Sequence, residues 1–343
     1  MDASARYLQH LRDAWNATVA SSDETLRFER QTIVVAVPAS FEEEARELTI
    51  EAASAADLAH LTLIEEPVAA FYAWMAEHSR ATALEDDQVA LVCDVGGGTS
   101  DFSLIRIRIE AGVPAFERMA IGEHLLLGGD NVDVALAMLV ERKITSPRPG
   151  WRLAITQRSA LRRACAEAKE RLLGESPPEQ ISITLLGAGR SVVGASTTSE
   201  LTKAEVEATL DQFLPIVEVA DAADTTRDRR LGLRELGLPF ESDPAITRHL
   251  VRFLIRSSAT LPDSHRALIA CGRQRLLRPD LVLFNGGFFT PPIARARVAR
   301  TLAHWFGAEP QLLAATNLES AVATGAATYA RLRAGLGRVG ALG

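Results

Sequence analysis

Apolar residues return at helical spacing over residues 2 to 19, where Leu8, Leu11, Trp15 and Val19 share one stripe and predict an amphipathic helix. The pattern then changes to a continuous run, Thr32-Ile33-Val34-Val35-Ala36-Val37, closed by Pro38, which predicts a strand covered on both faces. Helical spacing resumes from Phe41 to Ala56, a short apolar strand follows at Leu61 to Ile64, and Pro67 to His78 reads as helix again. Strand, helix, strand, helix with short links predicts a doubly wound α/β layer.

Two apolar strands at 89–94 and 100–109 then flank a turn, Phe116 to Gly122 reads as a third strand, and Gly128-Gly129-Asp130 opens a helix to Arg142. That adds an antiparallel meander to the sheet. Residues 155–173 form a long helix, Ile181–Leu186 and Ser191–Ala195 read as a hairpin, and a helix follows from Thr202 to Val219. From 222 to 279 only short helices such as 244–257 are legible. The α/β signature returns with the strand Leu281-Val282-Leu283-Phe284, the turn Gly286-Gly287 and a helix over 293–306. A last helix spans 318–332, entered from Asn317 as N-cap with Glu319 in its first turn.

At 343 residues the chain exceeds one typical core, so two lobes are expected. With 47% apolar and 24% charged residues it is globular, and a net charge of −7 argues against a nucleic-acid surface. No apolar run approaches a membrane span and Met1-Asp2-Ala3-Ser4 lacks a signal pattern, so a cytoplasmic chain with no membrane partner is expected. Cys93, Cys165 and Cys271 are widely spaced, as free core or near-core thiols are, and the seven histidines show no metal-type pairing. Trp15, Trp74, Trp151 and Trp305 are expected in the core. Arg158, Arg162, Arg163 and Arg171 beside Glu167 and Glu170 predict a solvated, salt-bridged helix face.

Chemistry concentrates at Asp94-Val95-Gly96-Gly97-Gly98-Thr99-Ser100-Asp101. A glycine-only turn lets successive backbone N–H groups converge on an anion, and carboxylates on either side suit the magnesium ion that a polyphosphate carries. A plain hairpin with a Gly-rich loop is the bland alternative, disfavoured because hairpin turns rarely need three glycines in a row. In Leu63-Ile64-Glu65-Glu66-Pro67-Val68-Ala69-Ala70, Pro67 suits the first helical position and leaves Glu66 where strand passes to helix. A carboxylate there can position water in phosphoryl transfer. From spacing alone, helix-dipole complementation, worth roughly 0.3–1 kcal/mol, accounts for Glu66 better.

The series Val35-Ala36-Val37-Pro38-Ala39-Ser40-Phe41, Ile64 to Ala70, Asp94 to Asp101 and Leu127-Gly128-Gly129-Asp130 resembles the nucleotide-binding domain of DnaK-type heat-shock chaperones, in the same order and at similar spacing. Ala164-Cys165-Ala166-Glu167-Ala168-Lys169, Val282 to Gly287 and Glu319 to Ala327 extend it over most of the chain, except about 222–279. The resemblance implies an actin-like ATPase (ribonuclease-H-like) α/β fold, two lobes closing on ATP or ADP with Mg²⁺. It implies that Gly96, Gly97, Gly98 and Thr99 hold phosphates and that Asp94 and Asp101 act around the metal and attacking water. Glu66 would help position that water, Gly128 and Gly129 would join the nucleotide site, and Gly286, Gly287 and Lys169 would flank the adenosine.

The chain also departs from that pattern. The family's first phosphate hairpin, Asp-x-Gly-Thr, and its catalytic lysine have no counterpart among the 37 residues before Pro38, and the first lysine is Lys143. The adenosine-side helix offers Ala166, Lys169, Glu170 and Leu173, and Thr290 stands where the family often has an arginine. A first lobe lacking its opening strands is therefore expected, with self-association through the incomplete lobe. The corresponding division is 1–122 as the rest of the first lobe with the glycine turn, 123–280 as the second lobe, 281–332 as adenosine turn and closing helices, and 333–343 as a flexible tail. An ATPase module acting with a co-chaperone or client is the leading function. A catalytically inactive scaffold and a small-molecule kinase of the same superfold are the alternatives.

Overall fold

The computed structural model describes residues 2–78, 84–110, 113–147, 150–186, 196–222, 241, 243–261, 267–271, 273–314 and 317–335. The chain begins with α1 (Asp2–Thr18), then β1 (Ile33–Val37), α2 (Glu43–Ser54), β2 (Leu61–Glu65) and α3 (Glu66–Glu77). It continues through β3 (Val89–Val95), β4 (Ser100–Glu110), β5 (Val113–Ile121), α4 (Gly129–Thr145) and α5 (Ile155–Leu172). Next come β6 (Gln180–Leu185), β7 (Thr197–Thr202), α6 (Lys203–Phe213), α7 (Val219–Ala222) and α8 (Ile246–Ala259). The last described elements are β8 (Leu268–Cys271), β9 (Gln274–Leu277), β10 (Leu281–Asn285), α9 (Pro292–Phe306), β11 (Gln311–Leu313) and α10 (Ala321–Arg333).

The single layer expected from strand–helix alternation is two sheets. β1 and β2 pair in parallel as a two-stranded sheet, and a second sheet of five strands has the order β11-β10-β3-β4-β5. Within it β3, β4 and β5 form the antiparallel meander, while β10 and β11 join in parallel with β3. β3 hydrogen-bonds to β10, so strands on either side of the divisions expected at 122 and 280 share one sheet. Alternation along β3 shows why it lies at the centre. Val89, Leu91, Cys93 and Val95 enter the main core, whereas Ala90 and Val92 pack on the opposite face with Phe71, Trp74 and Met75 of α3. Burying Phe71 or Trp74 contributes roughly 2–3 kcal/mol each.

The 222–279 stretch is part of the core where it is described. Leu250, Val251 and Leu254 of α8 and Leu276 and Leu277 of β9 join the main cluster, and Phe253 stacks on Phe102 of β4 at 6.0 Å. The helix expected from Thr202 to Val219 is shorter, since α6 ends at Phe213 and Pro215 removes the amide needed to continue it. Thr202 is its N-cap, accepting from the Glu205 amide. The partner of β6 is β7, and the strand expected at Ser191–Ala195 lies outside the described residues. Asn317 accepts from the amides of Glu319 and Ser320 and so caps the turn leading into α10, which starts only at Ala321. Of the expected tail, 336–343 lies outside the described residues.

Trp74 and Trp305 are buried as expected, but Trp15 is 37% exposed and Trp151 half-buried. The α5 arginines pair outward to α4, Arg158 with Glu141 and Arg162 with Asp130, in place of the expected pairing along their own helix. Cys93 and Cys165 are buried and Cys271 half-buried, all free. Two helices tie the sheets together. Gly325 of α10 lies so close to α3 that a Cβ there would fall 1.7 Å from the Ala69 carbonyl oxygen. Around that contact Ile64, Ala69 and Ala326 form a small cluster with Val34 and Ala36 of β1.

Candidate functional site

The site starts where β3 runs out. Asp94 lies opposite Asp101 on β4 and opposite Asn285 on β10, so three polar residues sit side by side across three strands. The Nδ2 of Asn285 donates to Asp94 Oδ2 at 2.7 Å, and His124 Nδ1 lies 3.0 Å from both carboxylate oxygens of Asp101. Burial pushes Asp94 up to about 6, against the Asn285 hydrogen bond that lowers it. Asp101 is also raised by burial, with His124 opposing. Glu66, at the start of α3, is pushed up to about 7 by burial and by the charges of Asp94 and Asp101. Burial and the neighbouring carboxylates raise Glu66 and Asp94, which favours an added proton or cation there, while His124 offsets the same effect at Asp101.

Between Asp94 and Asp101 the glycine turn closes with the Gly96 amide donating to the Thr99 carbonyl at 2.9 Å. Its outer carbonyls are taken by the start of α4, Gly129 N to Gly96 O at 3.0 Å and Asp130 N to Gly97 O at 2.7 Å. Gly128 is required there, since a Cβ would lie 2.6 Å from both of those carbonyl oxygens. Among the described residues the amides of Gly97, Gly98 and Thr99 have no protein acceptor. Gly286 carries φ +84°, and its Cβ would fall 2.2 Å from the Val95 carbonyl oxygen, so the turn after β10 presses on the turn after β3.

A cavity of about 770 Å³ opens from this turn. Of the residues singled out from sequence, Gly96, Gly97, Gly129, Lys169 and Gly287 line it, together with Phe288, Arg295 and Glu319. Gly98, Thr99, Gly128 and Gly286 are not in its wall. Neither are Glu66, Asp94 and Asp101, which form their own group one residue beyond the turn. Lys169, half-buried, is held by an ion pair with the buried Asp133, Nζ to Oδ1 2.7 Å. Thr290, standing where the family often has an arginine, lines the wall, and Arg295, lowered by burial, donates to the carbonyls of Phe289 and Thr290.

The residues fit a magnesium nucleotide. Free amides suit phosphate oxygens, and among the described residues no three His, Cys, Asp or Glu side chains gather into a metal cage. Magnesium bound largely by phosphate and water needs none. Sequence reasoning missed Asn285 and His124. Asn285 had a signal, being the one polar residue of an apolar strand placed directly before a glycine turn, as Asp94 is. His124 becomes visible only once β5 returns the chain beside β4.

A sheet in which an antiparallel meander is extended by two parallel strands, with helices on both faces, is the ribonuclease-H-like core of the actin-like ATPase fold. The Hsp70 protein family matches residues 2–221, and the chain belongs to that family. It is 30% identical over 289 residues to the chaperone protein HscA homolog of Polynucleobacter necessarius subsp. necessarius, covering 83% of this chain and 40% of that protein. Against the HscA homolog of Pseudomonas fluorescens it is 36% identical over 185 residues, 53% of this chain and 26% of the relative. Against HscA of Salmonella paratyphi C it is 37% identical over 140 residues, 40% of this chain and 21% of the relative. The chain thus spans at most about two fifths of these relatives. Among the described residues no helix is long and apolar enough to cross a membrane.

Proposed function

We propose that the chain is the nucleotide-binding ATPase module of a chaperone of the Hsp70 family. The observation that carries this reading is the set of amides at Gly97, Gly98 and Thr99 that have no protein acceptor among the described residues, beside the buried carboxylates of Asp94 and Glu66. These amides hold the terminal phosphates. Gly128 and Gly129 set the floor of the site, and Gly286, Gly287 and Lys169 flank the adenosine. Asp94 and Asp101 are the carboxylates that would hold a magnesium ion brought by the nucleotide. Bound magnesium supplies positive charge that stabilises the phosphoryl oxygens as the bond to the leaving group breaks. Glu66, held near neutral titration by its surroundings, orients the attacking water and receives its proton. The relatives are named chaperones, so the module's partner is a co-chaperone or client protein and its setting the cytoplasm.

Calorimetric titration of the chain with ATP and ADP, with and without Mg²⁺, tests this beside Asp94→Ala. Magnesium-dependent binding lost in Asp94→Ala is the expected result. Absence of any nucleotide binding overturns the reading. Hydrolysis stimulated by a sugar acceptor, and not by peptide, moves the protein to the kinases of the superfold.

A further inference from the structure

Asn285 is the last residue of β10, after four buried apolar residues, Leu281 to Phe284. It is only 3% exposed, and its side chain is used on one side only. Nδ2 donates to Asp94 Oδ2 at 2.7 Å, while Oδ1 is buried with no hydrogen-bond partner among the described residues. Buried polar atoms are satisfied in the great majority of cases, so an orphaned acceptor beside a carboxylate group marks the place of a donor such as water.

We propose that Asn285 is a positioning residue of the carboxylate group, fixing Asp94 through its NH₂ and accepting through Oδ1 from a water bound to the cation that Asp94 and Asp101 face. The placement follows from the sheet, in which Asn285, Asp94 and Asp101 are consecutive partners on β10, β3 and β4. No three acidic or imidazole side chains among the described residues close on an ion directly, so a cation here keeps its waters. An amide serves such a site twice. Its donor holds the carboxylate in one orientation without adding charge, and its oxygen can accept a hydrogen bond from a water O–H.

This inference rests on the magnesium-nucleotide reading, and the test separates the two. Mn²⁺ binding without nucleotide is measured by electron paramagnetic resonance, and ADP affinity by calorimetry with and without Mg²⁺, for the wild-type chain and Asn285→Val. The expected result is at least a tenfold loss of Mn²⁺ affinity in Asn285→Val. An equal loss of the gain in ADP affinity that Mg²⁺ provides should accompany it, with Mg²⁺-free ADP affinity within twofold. Asn285→Ser keeps a hydroxyl acceptor and is expected to lose less than threefold; it serves if the valine variant does not fold. Mn²⁺ binding that depends on Asn285, without ADP binding, supports the inference and overturns the nucleotide reading. A magnesium-dependent gain unchanged in Asn285→Val, or equal losses with and without Mg²⁺ alongside a lowered unfolding temperature, overturns the inference. A wild-type chain that binds neither Mn²⁺ nor ADP overturns both.

Discussion

Replacing Gly325 by alanine sets two effects of opposite sign against each other. Alanine is the better helix former, and in an exposed interior position the exchange stabilises a helix by about 1 kcal/mol. At Gly325, however, the new methyl carbon would lie 1.7 Å from the Ala69 carbonyl oxygen, 2.5 Å from its carbon and 3.0 Å from the Ala73 nitrogen. Ordinary contact begins near 3.4 Å, and the obstructing atoms are backbone, so α10 and α3 must move apart by well over 1 Å. That separation loosens the Tyr72–Tyr329 ring contact, at 5.2 Å, and the packing of Ala326. Overpacking costs about 1–3 kcal/mol, and a clash with backbone puts this site at the upper end, so a net loss of about 2 kcal/mol is left after the propensity gain of about 1. A thermal scan should show unfolding roughly 4–8 °C lower, at about 2–4 °C per kcal/mol for a domain of this size. Ala327→Gly, on the exposed face, sets the propensity scale by itself. If Gly325→Ala unfolds at or above the wild-type temperature, the close crossing of the two helices is wrong.

Glu66→Gln should stabilise the ligand-free protein at pH 8 and change little at pH 5. Its folded-state pKa is raised from 4.5 to about 7, so the native state binds the extra proton and stability falls as pH rises between those values. After solvent screening the gain from removing the charge is about 1–2 kcal/mol, read from urea midpoints at the two pH values. Gly286→Ala should cost about 2–4 kcal/mol, because positive φ and a 2.2 Å clash with Val95 coincide, and midpoints unchanged from wild type would contradict that geometry. Lys169→Met leaves Asp133 buried without its partner and should cost about 2–4 kcal/mol, with part regained in the double variant Lys169→Met/Asp133→Leu. Equal stability of the two variants would show that the pair is not coupled.

Much of the second sheet was legible because its strands carry local signals. Val89 to Asp94 is apolar and ends on a carboxylate, and the glycines that follow fix where the turn must be. Which strands share a sheet was not legible, because β1 and β10 are both short apolar runs bounded by turn residues. The hairpin of β8 and β9 went unseen for another reason. Its strands have four residues each, and Gln274-Arg275-Leu276-Leu277 has no period-2 alternation to separate it from helix. Asp94, Asp101 and Glu66 were read from their place beside turn and proline. That they sense one another was not readable, since α3 is brought to the second sheet only by packing of Phe71 and Trp74.

The hydrogen bonds at the start of α4 make the glycine turn an electrical relay. The carbonyl of Gly96 and the amide of Gly97 belong to one peptide group, as do the carbonyl of Gly97 and the amide of Gly98. When Gly129 and Asp130 donate to those carbonyls, they polarise the two amides on the far side. The positive end of a 17-residue helix is thereby passed through two peptide groups to the amides of Gly97 and Gly98.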